Sequence, residues 1–289
     1  MDLMYKNLNL GLLGHPSVPF PDTIDLARRH GFAGVDLDLA YLETLVRSRG
    51  LAEAVAWFAG TGLRAGTFGL STAWRESDSD AAFEARLPKL EAEAAMARAF
   101  GCERCVTWVM PRSSALSYRQ HFARIAPRIA RAAAILARHS IRLGLEFIGP
   151  ATLRAGQAHD FVHTLDGMRA FNCAVGGAAG NVGLLLDAFH WWTSHGTPLE
   201  LRHLVNDEIV YVHLNDAQAG LDRDAQIDQA REQVGATGVI PIKAFLDALR
   251  SVGYDGPIAV EPFNAALKAL SPDEAVRATS VALDRVLAL

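Results

Sequence analysis

Short apolar runs separated by long amphipathic stretches recur along the whole chain. The runs fall at Leu8 to Leu13, Gly34 to Leu39, Leu63 to Leu70, Cys105 to Met110, Leu143 to Phe147, Val182 to Asp187, Ile209 to Leu214 and Pro257 to Glu261. In GVDLDL, Val35, Leu37 and Leu39 alternate with Asp36 and Asp38, which is the two-residue period of a strand. The stretches between predict helices. The first is PDTIDLARRHG, with Asp22 as N-cap and Gly31 as stop, followed by Glu43 to Ala59 and Asp80 to Phe100. Tyr118 to His139 follows, with Pro127 expected to kink or split it. Asp160 to Phe171, a weaker Leu199 to Leu204, Pro241 to Val252 and Asp273 to Leu287 complete the set.

Eight strand–helix units require a parallel sheet, because each parallel neighbour needs a crossover of about a dozen residues. Strict alternation that opens on a strand and closes on a helix fits a closed (β/α)8 TIM barrel over residues 1–289, a single α/β domain. An open dinucleotide-binding sheet is disfavoured, since Gly11, Gly14 and His15-Pro16 do not make G-x-G-x-x-G after the first run. One long loop, Asp216 to Gly238, follows the seventh run, on the side where such barrels place function.

With 289 residues, 50% of them hydrophobic and 21% charged, the chain has material for a large core. A net charge of −4 supplies no positive field for a polyanion, which argues against a nucleic-acid partner. The opening MDLMYKNLNLGLLGHPSV is a poor signal peptide and no run of roughly 18 apolar residues occurs, so a cytoplasmic protein without membrane contact is expected. Cys102, Cys105 and Cys173 are too few for a disulfide framework. The pair in CERC lies where the third helix ends and the fourth run begins, at the far end of the barrel, where packing is the expected role. The Gly-rich Val175 to Gly183 lies at the same end and reads as a turn.

Polar residues that end barrel strands point into the mouth. Runs five to eight end in Glu146, Asp187 with His190 three residues on, His213 with Asp216, and Glu261. Each follows apolar residues, where a charge is costly unless paired or bound to a cation. Two glutamates, an aspartate and a histidine suit one divalent ion, Mn²⁺ first, with Mg²⁺, Co²⁺ or Zn²⁺ as alternatives. Trp108, Phe68, Trp191 and Trp192 could shape a ligand pocket, and His15 could reach the ligand. Asp216 fits either a hydrogen bond behind the ligands or a cap on the following loop.

The segments LGLEFIGP, LLLDAFHWW, YVHLNDA and GVIPIKAFLDALRSVGYDGPIAVEPF, with GFAGVDLDLAYL near the start, resemble the xylose isomerase-like TIM barrel superfamily. That superfamily holds the sugar phosphate isomerases and epimerases and the fold of the abasic-site endonuclease family 2. The resemblance implies Glu146, Asp187, His213 and Glu261 as metal ligands, Glu146 and Glu261 as the catalytic acid/base pair, and His190 and Arg223 on the substrate's oxygens. It also implies a small sugar or cyclitol substrate and frequent homo-oligomers. The implied activity is a metal-dependent isomerase or epimerase working by proton abstraction beside a carbonyl; the alternative is a dehydratase or lyase on an inosose- or dehydroshikimate-like substrate. A three-zinc endonuclease fits less well, because histidines are missing at the ends of runs two and three; a non-catalytic sugar-binding barrel is the remaining alternative. Three departures bear on the substrate: Thr152 stands where a second Glu is common, HLND replaces HLKD, and Arg231 to Gly238 reads REQVGATG without the proline of R-x-x-P-G-x-G.

Overall fold

The computed structural model describes residues 4–176 and 180–289. Its main sheet is parallel and contains β1 (Tyr5–Leu8), β2 (Gly34–Val35), β3 (Arg64–Ala65), β4 (Phe68–Gly69), β5 (Arg104–Val109), β6 (Arg142–Phe147), β7 (Val182–Asp187), β8 (Ile209–Leu214) and β9 (Pro257–Val260). The strand order is β3-β2-β1-β9-β8-β7-β6-β5-β4. Its two outer members, β3 and β4, are successive pieces of one predicted strand, so the ring closes through Gly66 and Thr67. Thr67 joins the two sides: its amide donates to Asp36 Oδ1 at 3.1 Å and its hydroxyl to the Arg104 carbonyl at 3.0 Å. The result is the (β/α)8 barrel that the alternation demands.

Helices cover the outside because each carries an apolar stripe. In Tyr118–Arg138 the buried Ile125, Ile129, Ala132 and Leu136 recur at three- and four-residue spacing. This helix runs unbroken across Pro127, as Asp80–Ala99 does across Pro88.

Several boundaries differ from expectation. The run Leu8 to Leu13 predicts a strand, but only Leu8 belongs to one. Leu13, Gly14 and His15 donate back to Leu10 and Gly11, so the following leucines pack as a turn. The first helix spans Phe20–Arg29 behind Pro19, with Asp22 in its first turn and not at its cap. Glu43 to Ala59 divides at Gly50 (φ 82°) into Leu39–Arg49, capped by Asp38, and Leu51–Ala59. The helix expected at Asp160 to Phe171 is Leu165–Gly176, since His159–Asp160 pair instead with Arg112–Ser113 in a small ribbon. Residues 177–179 of the Gly-rich turn lie outside the described residues.

Inside the barrel, the middle level is polar on one side. Asp36 accepts from Asn7 Nδ2 (2.7 Å), Asn9 Nδ2 (2.9 Å) and the Tyr211 hydroxyl (2.9 Å), and Asn7 Nδ2 also donates to that hydroxyl at 2.7 Å. Burial pushes the Asp36 carboxyl up to about 6, against donors that favour its charge. Gly66 faces this knot, and a Cβ there would collide with Asn7 Oδ1. Tyr211→Phe removes one donor and leaves the Asn7 amide and the Asp36 carboxylate short of a partner. A loss of about 1–3 kcal/mol of unfolding free energy in urea is expected, with unchanged far-ultraviolet circular dichroism.

Candidate active site

Alternation along parallel strands selects which residues face the mouth. Glu146 lies beside Trp108 across β6 and β5, and His213 beside Asp187 across β8 and β7. Glu261 follows directly after β9. Tyr211 and Leu185, two residues below, form with Ala259 a small interior apolar cluster under this level. The same parity that buries those three aims the acids and His213 upward. Glu146, Asp187, His213 and Glu261 each offer a ligand atom, all within 4.8 Å of one another. All four are buried.

Asp187 is held from two sides. Its Oδ1 caps the next helix by accepting from the amides of Phe189 (2.7 Å) and His190 (3.0 Å). Its Oδ2 accepts from Asn215 Nδ2 at 2.9 Å and Arg231 Nη1 at 3.0 Å. Arg231 Nη1 also donates to Glu261 Oε2 at 2.8 Å, while Nη2 sits 3.0 Å from His190 Nε2 and donates to Asp228 Oδ1 at 2.7 Å. The guanidinium lies between the rings of Phe189 and Phe263, 4.8 Å from each. At 2% exposure it is a fully buried cation among three carboxylates.

These neighbours pull the titrating groups apart. Burial pushes Glu146 up to about 8. For Glu261 burial acts in the same direction, but the charges of His213 and Arg231 outweigh it and hold the carboxyl at about 2. Burial alone would lower His213; Glu261 and Glu146 override it and hold the imidazole well above its ordinary range. His190, buried and beside Arg231, is lowered.

The donor set fits a divalent cation. Glu146 Oε1 and His213 Nδ1 are both buried without a hydrogen-bond partner, and they face each other at 3.5 Å. His213 Nδ1 is also 3.4 Å from Glu261 Oε2 and 3.8 Å from Asp187 Oδ2. Lone pairs converging on one point in a low-dielectric cavity call for positive charge.

Of the other residues singled out, His190 stands at this centre and Trp108 on its rim, 39% exposed, under the Arg75 guanidinium at 3.7 Å. Phe68 is buried in the main apolar core, and His15 lines a groove beside β1 and β2 with its Nε2 unpartnered. Trp191 is wholly buried against Phe245. Arg223 stacks on Trp192 at 4.7 Å; the arginine that bonds to the acids is Arg231. Its signal was present in REQVGATG, whose first residue it is. Asp216 caps the loop, accepting from the amides of Ala217, Thr237, Gly238 and Ile240. Thr152 donates its hydroxyl to the Gln226 carbonyl at 2.8 Å, tying the turn after β6 to the same loop. Cys102 and Cys105 are buried thiols, Cys102 pushed up to about 12 by desolvation.

Residues 24–284 match the model of a family described as xylose isomerase-like TIM barrel. A xylose isomerase domain protein of Alicyclobacillus acidocaldarius is 28% identical, with a TM-score of 0.87 over 99% of this chain and 98% of that one. The IolI protein, solved with a zinc atom bound, superposes with a TM-score of 0.79 at 16% identity over 100% and 98% of the two chains. Inosose isomerase of Bacillus subtilis is 25% identical over 142 residues, which are 48% of this chain and 46% of that protein.

Since Glu146 and His213 sit above their usual values without a cation, a divalent ion must displace protons to bind. Calorimetry in buffers of different ionisation enthalpy should show proton release near neutral pH, with affinity rising as pH passes through about 8, where Glu146 ionises. The raised Glu146 value also sets a sign for stability. Its contribution to the metal-free protein is complete below the ordinary carboxylate range and is lost as pH rises through about 8. Excess divalent metal should remove that part of the decline in thermal midpoint.

Proposed function

Because the chain belongs to the xylose isomerase-like TIM barrel family, we propose that it is a divalent-metal-dependent isomerase or epimerase of a keto sugar or cyclitol. The observation that carries this reading is the convergence of Glu146, Asp187, His213 and Glu261 on one buried point, with Glu146 Oε1 and His213 Nδ1 unpartnered there. The inosose isomerase relatives support a cyclitol ketone as a substrate class.

A bound ion supplies positive charge where a carbonyl oxygen gains electron density as the neighbouring C–H bond breaks. The chain's own groups handle the proton. Glu146, whose Oε1 is unpartnered in the centre, is placed to take and return one. Glu261 is held ionised by the charges of His213 and Arg231 beside it, and supplies a second carboxylate for the proton. The two glutamates come from β6 and the end of β9, so they approach a ligand from different sides, as exchange of a hydrogen between two faces requires. Asn215 and the helix amides hold Asp187, and His190 presents Nε2 toward the same space. A dehydratase shares the proton abstraction and differs in the departure of a hydroxyl.

Elemental mass spectrometry on wild type, Glu146→Gln and His213→Ala is the first test, with about one divalent ion per chain expected in the wild type only. Ketoses and inososes incubated with the loaded protein in heavy water should then gain carbon-bound deuterium without losing water. Glu146→Gln and Glu261→Gln should each slow this exchange at least about 100-fold, the ordinary size of a general acid–base contribution. Products short of one water would mean the lyase; about three zinc ions per chain would mean the endonuclease chemistry.

A further inference from the structure

A second concavity lies beside the centre. A cavity of about 620 Å³ opens between the segments that follow β4 and β5, within the usual size range of a small-molecule pocket. Its walls bring three guanidinium groups, Arg75, Arg112 and Arg124, against a single carboxylate, Glu76.

That carboxylate is already engaged. Glu76 Oε1 accepts from Ser113 Oγ at 2.6 Å, and Oε2 faces His121 Nε2 at 3.7 Å. Arg124 is paired with Asp80 at 3.5 Å. Neither of the other two arginines forms an ion pair within 4 Å among the described residues, although Asp78 acts on Arg75 electrostatically. Arg75 lies on the faces of Trp108 (3.7 Å) and Trp74 (4.9 Å) and donates to the Trp108 carbonyl at 3.3 Å. Arg112 donates to the neutral Gln157 at 2.8 Å, and its Nε is buried without a partner. His121, only 3% exposed, lines the same cavity with Nδ1 unpartnered. A buried donor without an acceptor, as at Arg112 Nε, is costly, and an anion in the cavity would satisfy it.

The cavity also adjoins the centre. Trp108 forms part of its wall and is paired in register with Glu146, on strands roughly 4.8 Å apart. Neighbouring residues so paired project to the same side of a sheet. A ligand with its keto carbon by Glu146 would therefore extend its far end past Trp108.

We propose that this cavity is an oxyanion subsite, binding a carboxylate or phosphate at the distal end of the substrate, so that the enzyme acts on an acidic or phosphorylated keto sugar or cyclitol. This rests on the isomerase reading for the position of the keto carbon. The binding of the anion stands on the cavity's own residues.

The test is calorimetric titration of Mn²⁺-loaded protein with D-fructose, D-fructose 6-phosphate and D-fructuronate, in wild type, Arg112→Gln and Ser114→Asp. Ser114 is exposed on the cavity's rim, so the aspartate adds a like charge with little effect on folding. At least one anionic probe should bind about tenfold or more tightly than fructose, and the tighter of the two names the group. Both variants should lose that preference while keeping metal stoichiometry and thermal midpoint. Equal binding of all three probes, no binding, or a preference that survives in both variants would overturn the subsite. Deuterium exchange without anion preference would leave the isomerase and remove the subsite. Anion preference without exchange on any probe would do the reverse.

Discussion

Burying like charges together is the condition that organises this barrel. Three carboxylates and an imidazole meet at one level of the mouth, all nearly free of water. Isolated, each ionised acid would be driven to neutrality. The chain answers with Arg231, itself wholly buried, which bonds to Asp187, Glu261 and Asp228 at once. Burial still raises Glu146 to about 8, and Glu261 and Glu146 hold the His213 imidazole above its ordinary range. A buried set of three carboxylates and an imidazole is a donor set that fits a divalent ion.

The surroundings read as supports for this arrangement. Asp187 is fixed by helix amides below and by Asn215 beside it, so its carboxylate has little freedom. The loop that delivers Arg231 is pinned by Asp216, which accepts four backbone amides, and by an antiparallel bridge between Asp216 and Glu232. Thr152 fastens the turn after β6 to the same loop. A long irregular segment therefore behaves as a built part of the mouth, with its polar groups accounted for.

The contrast between the two arginine-rich regions is instructive. Arg231 is over-supplied with acids, whereas Arg75 and Arg112 form no ion pair among the described residues and lean on indole rings and an amide. The acids converge in the barrel mouth, and the arginines line the cavity that adjoins it.

Much of this was legible without coordinates. Period-two and period-3.6 patterns specify strand and helix locally, so the eightfold alternation and the barrel could be read from it. Because polar residues at the C-terminal ends of barrel strands face the mouth, Glu146, Asp187, His213 and Glu261 could be placed at one end as well. Turns were harder: Leu10 to Leu13 look like strand, yet they close hydrogen bonds on themselves, since an apolar run reports burial and not extension. Nor does periodicity single out Arg231, which lies in a loop without regular repeat. Its place belongs to the folded chain, where Asp216 accepts the loop's amides and the Arg231 guanidinium meets a buried carboxylate cluster. Local pattern governs elements because their hydrogen bonds are local; the pairing of distant charges depends on a shared low-dielectric space, which exists only after the ring has closed.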